Sequence, residues 1–155
     1  MREARELVHG TCVAFGPRAV LLRGEPGSGK SDLALRFLAL PPEGEARPRL
    51  VADDQVFIEA RAEGALIATP PPAIAGKIEV RGLGIVEVPF LPEAELHLVC
   101  DLAEETEVAR MPPESWERTE IAGIALPAFR LAPFEASAPL KLKIALFLTA
   151  PANPK

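Results

Sequence analysis

The feature that most constrains this chain is a glycine-rich octapeptide, Gly-Glu-Pro-Gly-Ser-Gly-Lys-Ser, at residues 24–31. It matches the phosphate-loop pattern G-x-x-x-x-G-K-[ST] in full. An apolar run, 19–22, precedes it and an amphipathic stretch, 31–40, follows it. This order predicts a strand, a loop whose backbone N–H groups point inward, and a helix whose positive N-terminal end faces a phosphate. The sequence therefore predicts a nucleotide-binding α/β domain; the alternative is a turn that merely begins a helix.

The residue types of the loop predict how a nucleotide is bound. The Lys30 ammonium group can reach the β- and γ-phosphates, and the Ser31 hydroxyl can bind Mg²⁺. The predicted nucleotide-binding residues are Gly24, Glu25, Pro26, Gly27, Ser28, Gly29, Lys30 and Ser31.

The segments before the loop predict a mixed sheet. Residues 9–15 have the pattern of a strand, 16–18 that of a tight turn, and 19–23 that of a returning strand. The phosphate-loop strand is therefore predicted to be the second arm of a hairpin. Phosphate loops ordinarily lie in wholly parallel sheets, so this setting is unusual.

Residues 1–150 are predicted to form one domain, and 151–155 a flexible tail. Pro41-Pro42 is expected to stop the helix that follows the loop. Further predicted elements are a strand over 50–52, a hairpin with arms at 56–58 and 65–68, a strand over 96–102 and a partly helical connector over 112–119. Leu140, Ile144, Phe147 and Leu148 favour a closing helix; the alternative over so short a run is a strand.

Charge and hydropathy exclude several classes of function. The 155-residue chain has a formal net charge of −5, which argues against a nucleic-acid-binding surface. It has no apolar run long enough to span a membrane, and its N-terminus lacks the apolar core of a signal peptide. A cytoplasmic protein with no membrane partner is predicted.

Two aspartates follow the predicted strand at 50–52. Asp53 and Asp54 come where that strand ends, which in a mixed α/β sheet places them beside the phosphates. One carboxylate there can hold Mg²⁺ and its neighbour can accept a proton. Because adjacent strand residues point to opposite faces, the two should not share one role. The alternative is a solvated turn at a strand end.

Residues 78–86 alternate apolar and charged side chains and then break at two glycines. Glu79 and Arg81 are predicted to share one face of a strand, where a carboxylate and a guanidinium would suit phosphoryl transfer. Gly82 and Gly84 would let a ligand or partner approach the backbone closely. Alternating charges also mark solvated strand faces, and His9 taken alone suits a polar strand end.

Read together, these segments resemble the catalytic domain of HPr kinase/phosphorylase. The resemblance runs through His9-Gly10, the phosphate loop with Asp32 after it, Leu-Val-Ala-Asp-Asp at 50–54, and Ile-Glu-Val-Arg-Gly-Leu-Gly-Ile at 78–85. The last segment is close to the signature of that family and is more specific than any phosphate loop. Order and spacing agree over roughly residues 7–110.

The resemblance implies an α/β fold with a mixed sheet, like the nucleotide-binding domain of phosphoenolpyruvate carboxykinase. It implies a Mg²⁺-dependent enzyme that phosphorylates a serine of the carrier protein HPr with ATP or pyrophosphate. The same enzyme would remove that phosphate with inorganic phosphate. It further implies a homo-oligomer, commonly a hexamer, and a short form that consists of the catalytic domain.

Residue roles also follow from the resemblance. Lys30 and Ser31 would contact the phosphates and Mg²⁺, and Glu79 would be a second ligand of the metal. Asp54 would accept the serine proton in the forward reaction and return it in reverse, while Asp53 would support the metal or its water.

The remaining roles implied by the resemblance concern the phosphoryl group and the protein substrate. His9 would orient groups near the phosphate, and Arg110 would stabilise the transferring phosphoryl group. The predicted partner-binding residues are Arg81, Gly82, Leu83 and Gly84.

One departure from the family pattern bears on the reverse reaction. Pro139 and Lys141 match a family segment, but the Gly-Arg-Asn that should follow is absent. The kinase reaction is therefore better supported than the phosphorylase reaction. The alternatives are a phosphate-loop kinase of small molecules and a non-catalytic, nucleotide-dependent regulator that binds HPr.

Overall fold

The computed structural model describes residues 4–111 and 116–148, and within them the chain forms eleven strands and two α-helices. The strands are β1 Arg5–His9, β2 Thr11–Phe15, β3 Arg18–Arg23, β4 Pro48–Ala52, β5 Gln55–Ala60, β6 Leu66–Thr69, β7 Lys77–Val80, β8 Gly84–Glu87, β9 Ala94–Leu102, β10 Glu117–Ile121 and β11 Ile124–Leu131. The helices are α1 Lys30–Leu38 and α2 Ala138–Leu148. The predicted tail at 151–155 lies outside the described residues.

Most of the strands form one mixed sheet in the order β1-β5-β6-β9-β3-β2-β4, with β11 beside β9 and β10 beside β11. Strand β3 runs antiparallel to β2 and parallel to β9, so the predicted mixed sheet is confirmed. The predicted hairpins β2–β3 and β5–β6 are also confirmed. Since β2 is antiparallel to both β3 and β4, these two strands run the same way and end at the same edge of the sheet.

The central strands are buried on both faces and separate two hydrophobic layers. In β2, Val13 and Phe15 belong to the layer that contains α1 and α2, whereas Cys12 and Ala14 belong to the other layer. That second layer is formed with side chains of β5, β6, β10 and β11. Because side chains alternate along a strand, a strand covered on both faces needs an unbroken apolar sequence. The apolar runs of β2 and β3, which precede the phosphate loop, therefore mark the centre of the sheet.

The strand predicted over residues 9–15 is interrupted, and that prediction is wrong at its first residues. Strand β1 ends at His9 and pairs with β5, while β2 begins at Thr11 and pairs with β3. A Cβ atom at Gly10 would lie 2.8 Å from the backbone oxygen of Leu22. Glycine is therefore required where the chain crosses from one strand partner to the other.

The connector predicted over residues 112–119 is a strand in its described part. Glu117 to Thr119 belong to β10, which pairs antiparallel with β11, so a helical description is wrong there. The polar composition of this segment predicts its secondary structure only weakly. Its pairing with β11 makes it a strand. Residues 112–115 of the predicted connector lie outside the described residues.

Both predicted helices are confirmed, α1 over 30–38 rather than 31–40. The apolar residues that predicted α2 lie on its exposed side: Leu140, Ile144, Phe147 and Leu148 are 51%, 59%, 45% and 70% exposed. The buried residues of α2 are Ala138, Pro139, Leu142, Ala145 and Leu146. Because this helix is apolar nearly all round, its sequence does not show which side meets the sheet. No helix in the described ranges is long and apolar enough to cross a membrane.

Candidate functional site

The phosphate loop lies where several strand ends meet. It leaves β3 at Arg23, whose guanidinium group forms two hydrogen bonds with the carboxylate of Asp101 near the end of β9, at 2.8 and 3.1 Å. This bidentate pair fixes the ends of the two parallel strands from which the loop departs. Strand β4 ends at the same edge of the sheet, and β2 begins there. Ligands of α/β sheets bind outside the carboxyl ends of parallel strands, so this edge is the candidate site.

The loop itself has the geometry of an anion-binding site. Helix α1 begins at Lys30, directly after the loop, so the first backbone N–H groups of the helix face the site. Gly29 has φ +103°, a left-handed conformation in which a side chain would be strained. The Lys30 ammonium group donates hydrogen bonds to the backbone oxygens of Gly24 and Glu25, at 2.7 and 3.1 Å. These contacts hold the positive charge of Lys30 at the loop.

Asp53 connects three segments of the chain from a buried position. One carboxylate oxygen, Oδ1, accepts hydrogen bonds from the hydroxyls of Thr11 at 2.9 Å and Ser31 at 2.7 Å. The other, Oδ2, accepts a hydrogen bond from the backbone N–H of Glu79 at 3.1 Å. Asp53 is only 6% exposed, so these bonds replace the water that the carboxylate loses. Asp53 therefore fixes β2, the first turn of α1 and β7 relative to one another.

Asp54 has the same side chain as Asp53 but differs from it in exposure, backbone conformation and hydrogen bonding. It is exposed, and its φ of +75° is left-handed, a conformation that aspartate tolerates better than most residues. Its backbone N–H donates to the Thr11 hydroxyl at 3.3 Å, and its backbone oxygen accepts from the N–H of Gly10 at 3.0 Å. The backbone N–H and C=O of Asp54 are thus anchored, and the residue lines an open cavity.

Glu79 and Arg81 do not share a strand face, so that prediction is wrong. Strand β7 ends at Val80, and Arg81 lies in the turn that leads to β8. Gly82 and Gly84 have φ +89° and +98°, and these left-handed residues reverse the chain. The turn exposes the apolar side chain of Leu83, which is 79% accessible to solvent.

An open cavity of about 600 Å³ joins these groups, a size typical of small-molecule sites. Its walls include groups from the loop, Asp54, the β7 end and one aromatic residue. The lining residues are Thr11, Pro26, Gly27, Gly29, Lys30, Ser31, Asp32, Leu35, Asp54, Glu79, Val80, Arg81 and Phe134. The cavity thus brings together five of the eight predicted nucleotide-binding residues, the predicted metal ligand Glu79 and the predicted proton acceptor Asp54. Gly24, Glu25 and Ser28 do not line it.

Two predicted catalytic residues are not among those that line this cavity. His9 is exposed at the end of β1, beside Gln55, and does not line this cavity. Arg110 lines a separate groove between the 107–110 loop, β11 and α2. The roles given to these two residues stay predictions, since neither is among the residues that line the cavity.

Two residues of the site carried no signal in the sequence. Thr11 is one residue of an apolar strand, and its importance lies in hydrogen bonds to residues 42 and 43 positions away. Phe134 lies between β11 and α2 and touches the loop only in the folded chain. Long-range contacts of this kind leave no local pattern.

Neither cysteine belongs to the site. Cys12 and Cys100 are free and fully buried. Burial raises the pKa of the Cys12 thiol, and burial together with the Asp101 carboxylate raises the pKa of the Cys100 thiol. Both thiols are therefore protonated at neutral pH and poorly suited to nucleophilic or metal chemistry.

Comparisons with known proteins agree with this geometry. The family described as HPr Serine kinase C-terminal domain matches residues 3–132. The HPr kinase/phosphorylase of Streptococcus thermophilus is 32% identical over 136 residues, a match that covers 82% of this chain and 42% of that protein. The HPr kinase/phosphorylase of Clostridium tetani is 43% identical over 84 residues, covering 54% of this chain and 25% of that protein. The chain thus spans less than half the length of these curated relatives.

A solved structure has a similar fold. The structure of the Hpr(Ser) kinase/phosphatase from Coxiella burnetii superposes with a TM-score of 0.74, covering 92% of this chain and 95% of that one at 23% identity. The protein is therefore a phosphate-loop domain on a mixed α/β sheet, of the type of the phosphoenolpyruvate carboxykinase nucleotide-binding domain. More narrowly, the chain belongs to the HPr serine kinase C-terminal domain family.

Proposed function

We propose that this chain is a serine-protein kinase that transfers the γ-phosphoryl group of ATP to a serine of the carrier protein HPr. The observation that carries the proposal is one cavity lined by the phosphate loop, Asp54 and Glu79. Membership of the HPr serine kinase family and the names of its relatives support HPr as the protein substrate. The cytoplasmic location predicted from the sequence belongs to the same proposal.

The loop would hold the phosphates of the donor. The backbone N–H groups of residues 27–31, the N-terminus of α1 and the Lys30 ammonium group all direct positive charge toward the phosphates. In phosphoryl transfer, negative charge spreads over the oxygens of the transferring group in the transition state. Donors that are already fixed by the fold stabilise that charge without reorganisation. This positioning is the main catalytic contribution of the loop.

Asp54 would handle the proton of the substrate. The serine oxygen forms its bond to the γ-phosphorus as the bond from that phosphorus to the β,γ-bridging oxygen breaks, and ADP leaves. The serine proton passes to Asp54, whose carboxylate is exposed in the cavity and makes none of the ion pairs found among the described residues. Asp53, by contrast, has both oxygens engaged by protein donors and would act through Ser31.

The residues present fit a Mg²⁺ ion. Magnesium is usually held by one or two protein groups together with substrate phosphates and water, rather than by a closed protein cage. In keeping with this, the described residues contain no cluster of three or more His, Cys, Asp or Glu side chains that could hold a metal ion. Ser31 and Glu79 would hold the ion. The Ser31 hydroxyl donates its hydrogen to Asp53, so the lone pairs of the Ser31 oxygen stay available for the metal. When bound, the ion would neutralise charge on the phosphates.

The same groups suit the reverse reaction. An oxygen of inorganic phosphate attacks the phosphoserine phosphorus, the bond to the serine oxygen breaks, Asp54 returns a proton to that oxygen, and pyrophosphate forms. Phosphorolysis therefore belongs to the proposal, together with pyrophosphate as an alternative donor. His9 and Arg110 enter it through the family resemblance alone, because neither lines the cavity.

A homo-oligomer also belongs to the proposal. Four apolar side chains of α2, at 140, 144, 147 and 148, are each at least 45% exposed. Exposed apolar surface of this kind is typical of a protein–protein interface. A net charge of −5 supports a protein rather than a nucleic acid as the partner. Light scattering of the purified chain would give the number of subunits.

A labelling experiment tests the kinase. The protein is incubated with HPr and ³²P-labelled ATP or pyrophosphate, and afterwards labelled phospho-HPr is incubated with inorganic phosphate. We expect label on a serine of HPr, followed by its release as pyrophosphate. Lys30→Ala should abolish labelling and weaken binding of a fluorescent ATP analogue, while Lys77→Ala, an exposed lysine outside the cavity, should do neither. Nucleotide binding without labelling would contradict the kinase and favour the regulator.

A further inference from the structure

Phe134 is an aromatic residue left in solvent at the mouth of the cavity. It is 70% exposed and is the most exposed of the seven phenylalanines of the chain. Phe15 and Phe37, by contrast, are buried in the core at 2% and 0% exposure. Phe134 lines the same cavity as Lys30 and Glu79. An aromatic ring exposed at the mouth of a polar cavity offers an apolar face to a ligand that enters it.

The edge of this ring rests on the phosphate loop. A Cβ atom built on Gly29 would lie 2.9 Å from Cζ of Phe134 and 3.1 Å from Cε1. The ring therefore contacts the residue that directly precedes Lys30. Because the contact uses the ring edge and most of the side chain stays in solvent, a face of the ring remains available for stacking.

The backbone on both sides of Phe134 is anchored to α1. The Arg36 guanidinium group donates hydrogen bonds to the backbone oxygen of Pro133 and, at 3.2 Å, to that of Glu135. Arg36 also pairs with Asp32 at 3.0 Å, and Glu135 pairs with Lys141 of α2 at 2.6 Å. Phe134 is thus held by the helix that begins at the phosphate loop. An exposed side chain on an anchored backbone loses little entropy when it binds a ligand.

The topology places Phe134 at the same edge of the sheet as the phosphate loop. Strands β3, β9 and β11 run parallel, with β9 between the other two, so their carboxyl ends share one edge. The phosphates would lie at the end of β3. Phe134 follows the end of β11 by three residues, at Leu131. A ligand that extends from the loop along this edge reaches Phe134.

We infer that Phe134 is a stacking platform for the base of the nucleotide. The inference rests on the proposed function, since it requires a nucleotide in the loop. Its consequence is a preference among phosphoryl donors: the ring stabilises ATP and contributes nothing to pyrophosphate or tripolyphosphate, which have no base. Every base has an aromatic face, so the contact favours nucleotides over inorganic polyphosphates without selecting one base.

The test compares a ligand that has a base with one that lacks it. Titration calorimetry in the presence of Mg²⁺ measures binding of a non-hydrolysable ATP analogue and of inorganic tripolyphosphate. Phe134→Ala is expected to weaken binding of the ATP analogue roughly five- to a hundredfold, the range of base–aromatic stacking. Binding of tripolyphosphate should change less than about twofold, within the usual effect of an exposed substitution.

Two further variants separate stacking from support of the loop. Phe134→Leu keeps an apolar contact with Gly29 and should bind the ATP analogue as weakly as Phe134→Ala. Phe134→Trp keeps an aromatic face and should bind as the wild type does. Its added tryptophan should also lose fluorescence with the ATP analogue and not with tripolyphosphate, whereas wild type, with Trp116 alone, gives the baseline. Leu7→Ala, an exposed apolar residue of β1 outside the cavity, is the control.

The outcomes are distinct. Equal loss of both ligands in Phe134→Ala, or wild-type affinity in Phe134→Leu, would overturn the inference and leave Phe134 as a support of Gly29. A wild-type protein that binds neither ligand would overturn the inference and the proposed function together. A protein that shows the expected binding pattern and does not phosphorylate HPr would overturn only the proposed function.

Discussion

The two sides of the cavity are built in opposite ways. Around the buried Asp53, polar atoms from three segments are hydrogen-bonded to one carboxylate. At the β7–β8 turn, residues 81–85 are all exposed, and the apolar side chains of Leu83 and Ile85 are 79% and 64% accessible. A buried, saturated network gives the fixed geometry that a small charged ligand needs. An exposed apolar turn instead offers contact area to a protein. The difference supports a nucleotide on one side and a protein substrate on the other.

Asp54→Asn should produce the largest effect, because it removes the proton acceptor and little else. Asparagine tolerates the left-handed conformation of residue 54, so the backbone should not change. We expect the rate of phosphoryl transfer to HPr to fall about 10²- to 10⁴-fold, the usual contribution of a general base. Binding of a fluorescent ATP analogue should be nearly unchanged. Equal rates in mutant and wild type would remove Asp54 from the mechanism; Glu95→Gln, an exposed carboxylate at the far end of β9, is the control.

Asp53→Ala should instead act mainly on stability. It leaves the Thr11 hydroxyl, the Ser31 hydroxyl and the Glu79 N–H without their acceptor in a buried place. We expect the free energy of unfolding to fall by about 2–4 kcal/mol in urea denaturation followed by circular dichroism. Asp54→Asn in the same assay should stay within about 0.5 kcal/mol of wild type. If the two variants were equally stable, the contrast between the two aspartates would be false.

Thr11→Val tests whether the network positions the site as well as stabilising it. Valine has the shape of threonine and removes only the hydroxyl that serves both Asp53 and the Asp54 N–H. We expect a loss of about 1.5–3 kcal/mol in the free energy of unfolding, since one of the bonds is to a charged group. The rate of transfer to HPr should fall as well, with nucleotide affinity retained. Thr11→Ser keeps the hydroxyl and should keep the rate; if it does not, Thr11 contributes packing alone.

Leu83→Ala should give the smallest effect, and it should change only the interaction with the protein substrate. Because the side chain is 79% exposed, the free energy of unfolding should change by less than about 0.5 kcal/mol. If Leu83 is buried against HPr, the KM for HPr should rise about tenfold, equivalent to about 1.4 kcal/mol of lost apolar contact. The KM for ATP should not change. A rise in both KM values would show that the turn and the buried network are not separate parts.

Much of this arrangement was predictable because it depends on local patterns. The strand–loop–helix order around residues 24–31, the hairpin before it and the strand end at Asp53 each follow from neighbouring residues and turn chemistry. The face of α2 was not predictable, since apolar residues surround that helix and only the position of the sheet selects Leu142 and Leu146 for burial. The exposure of Leu140 and Ile144 follows from the same choice.

The sequence by itself determined which chemical groups the candidate site contains: a phosphate loop, paired aspartates, and the glycine-broken segment at 78–85. Only the tertiary structure decided which of these residues are buried, which are exposed and which residues they contact. It buries Asp53 under Thr11 and Ser31, exposes Asp54, and sets Phe134 against Gly29. The physical reason is distance along the chain. Motifs are short and set by backbone conformation, whereas burial and hydrogen-bond partners depend on residues that only folding brings together.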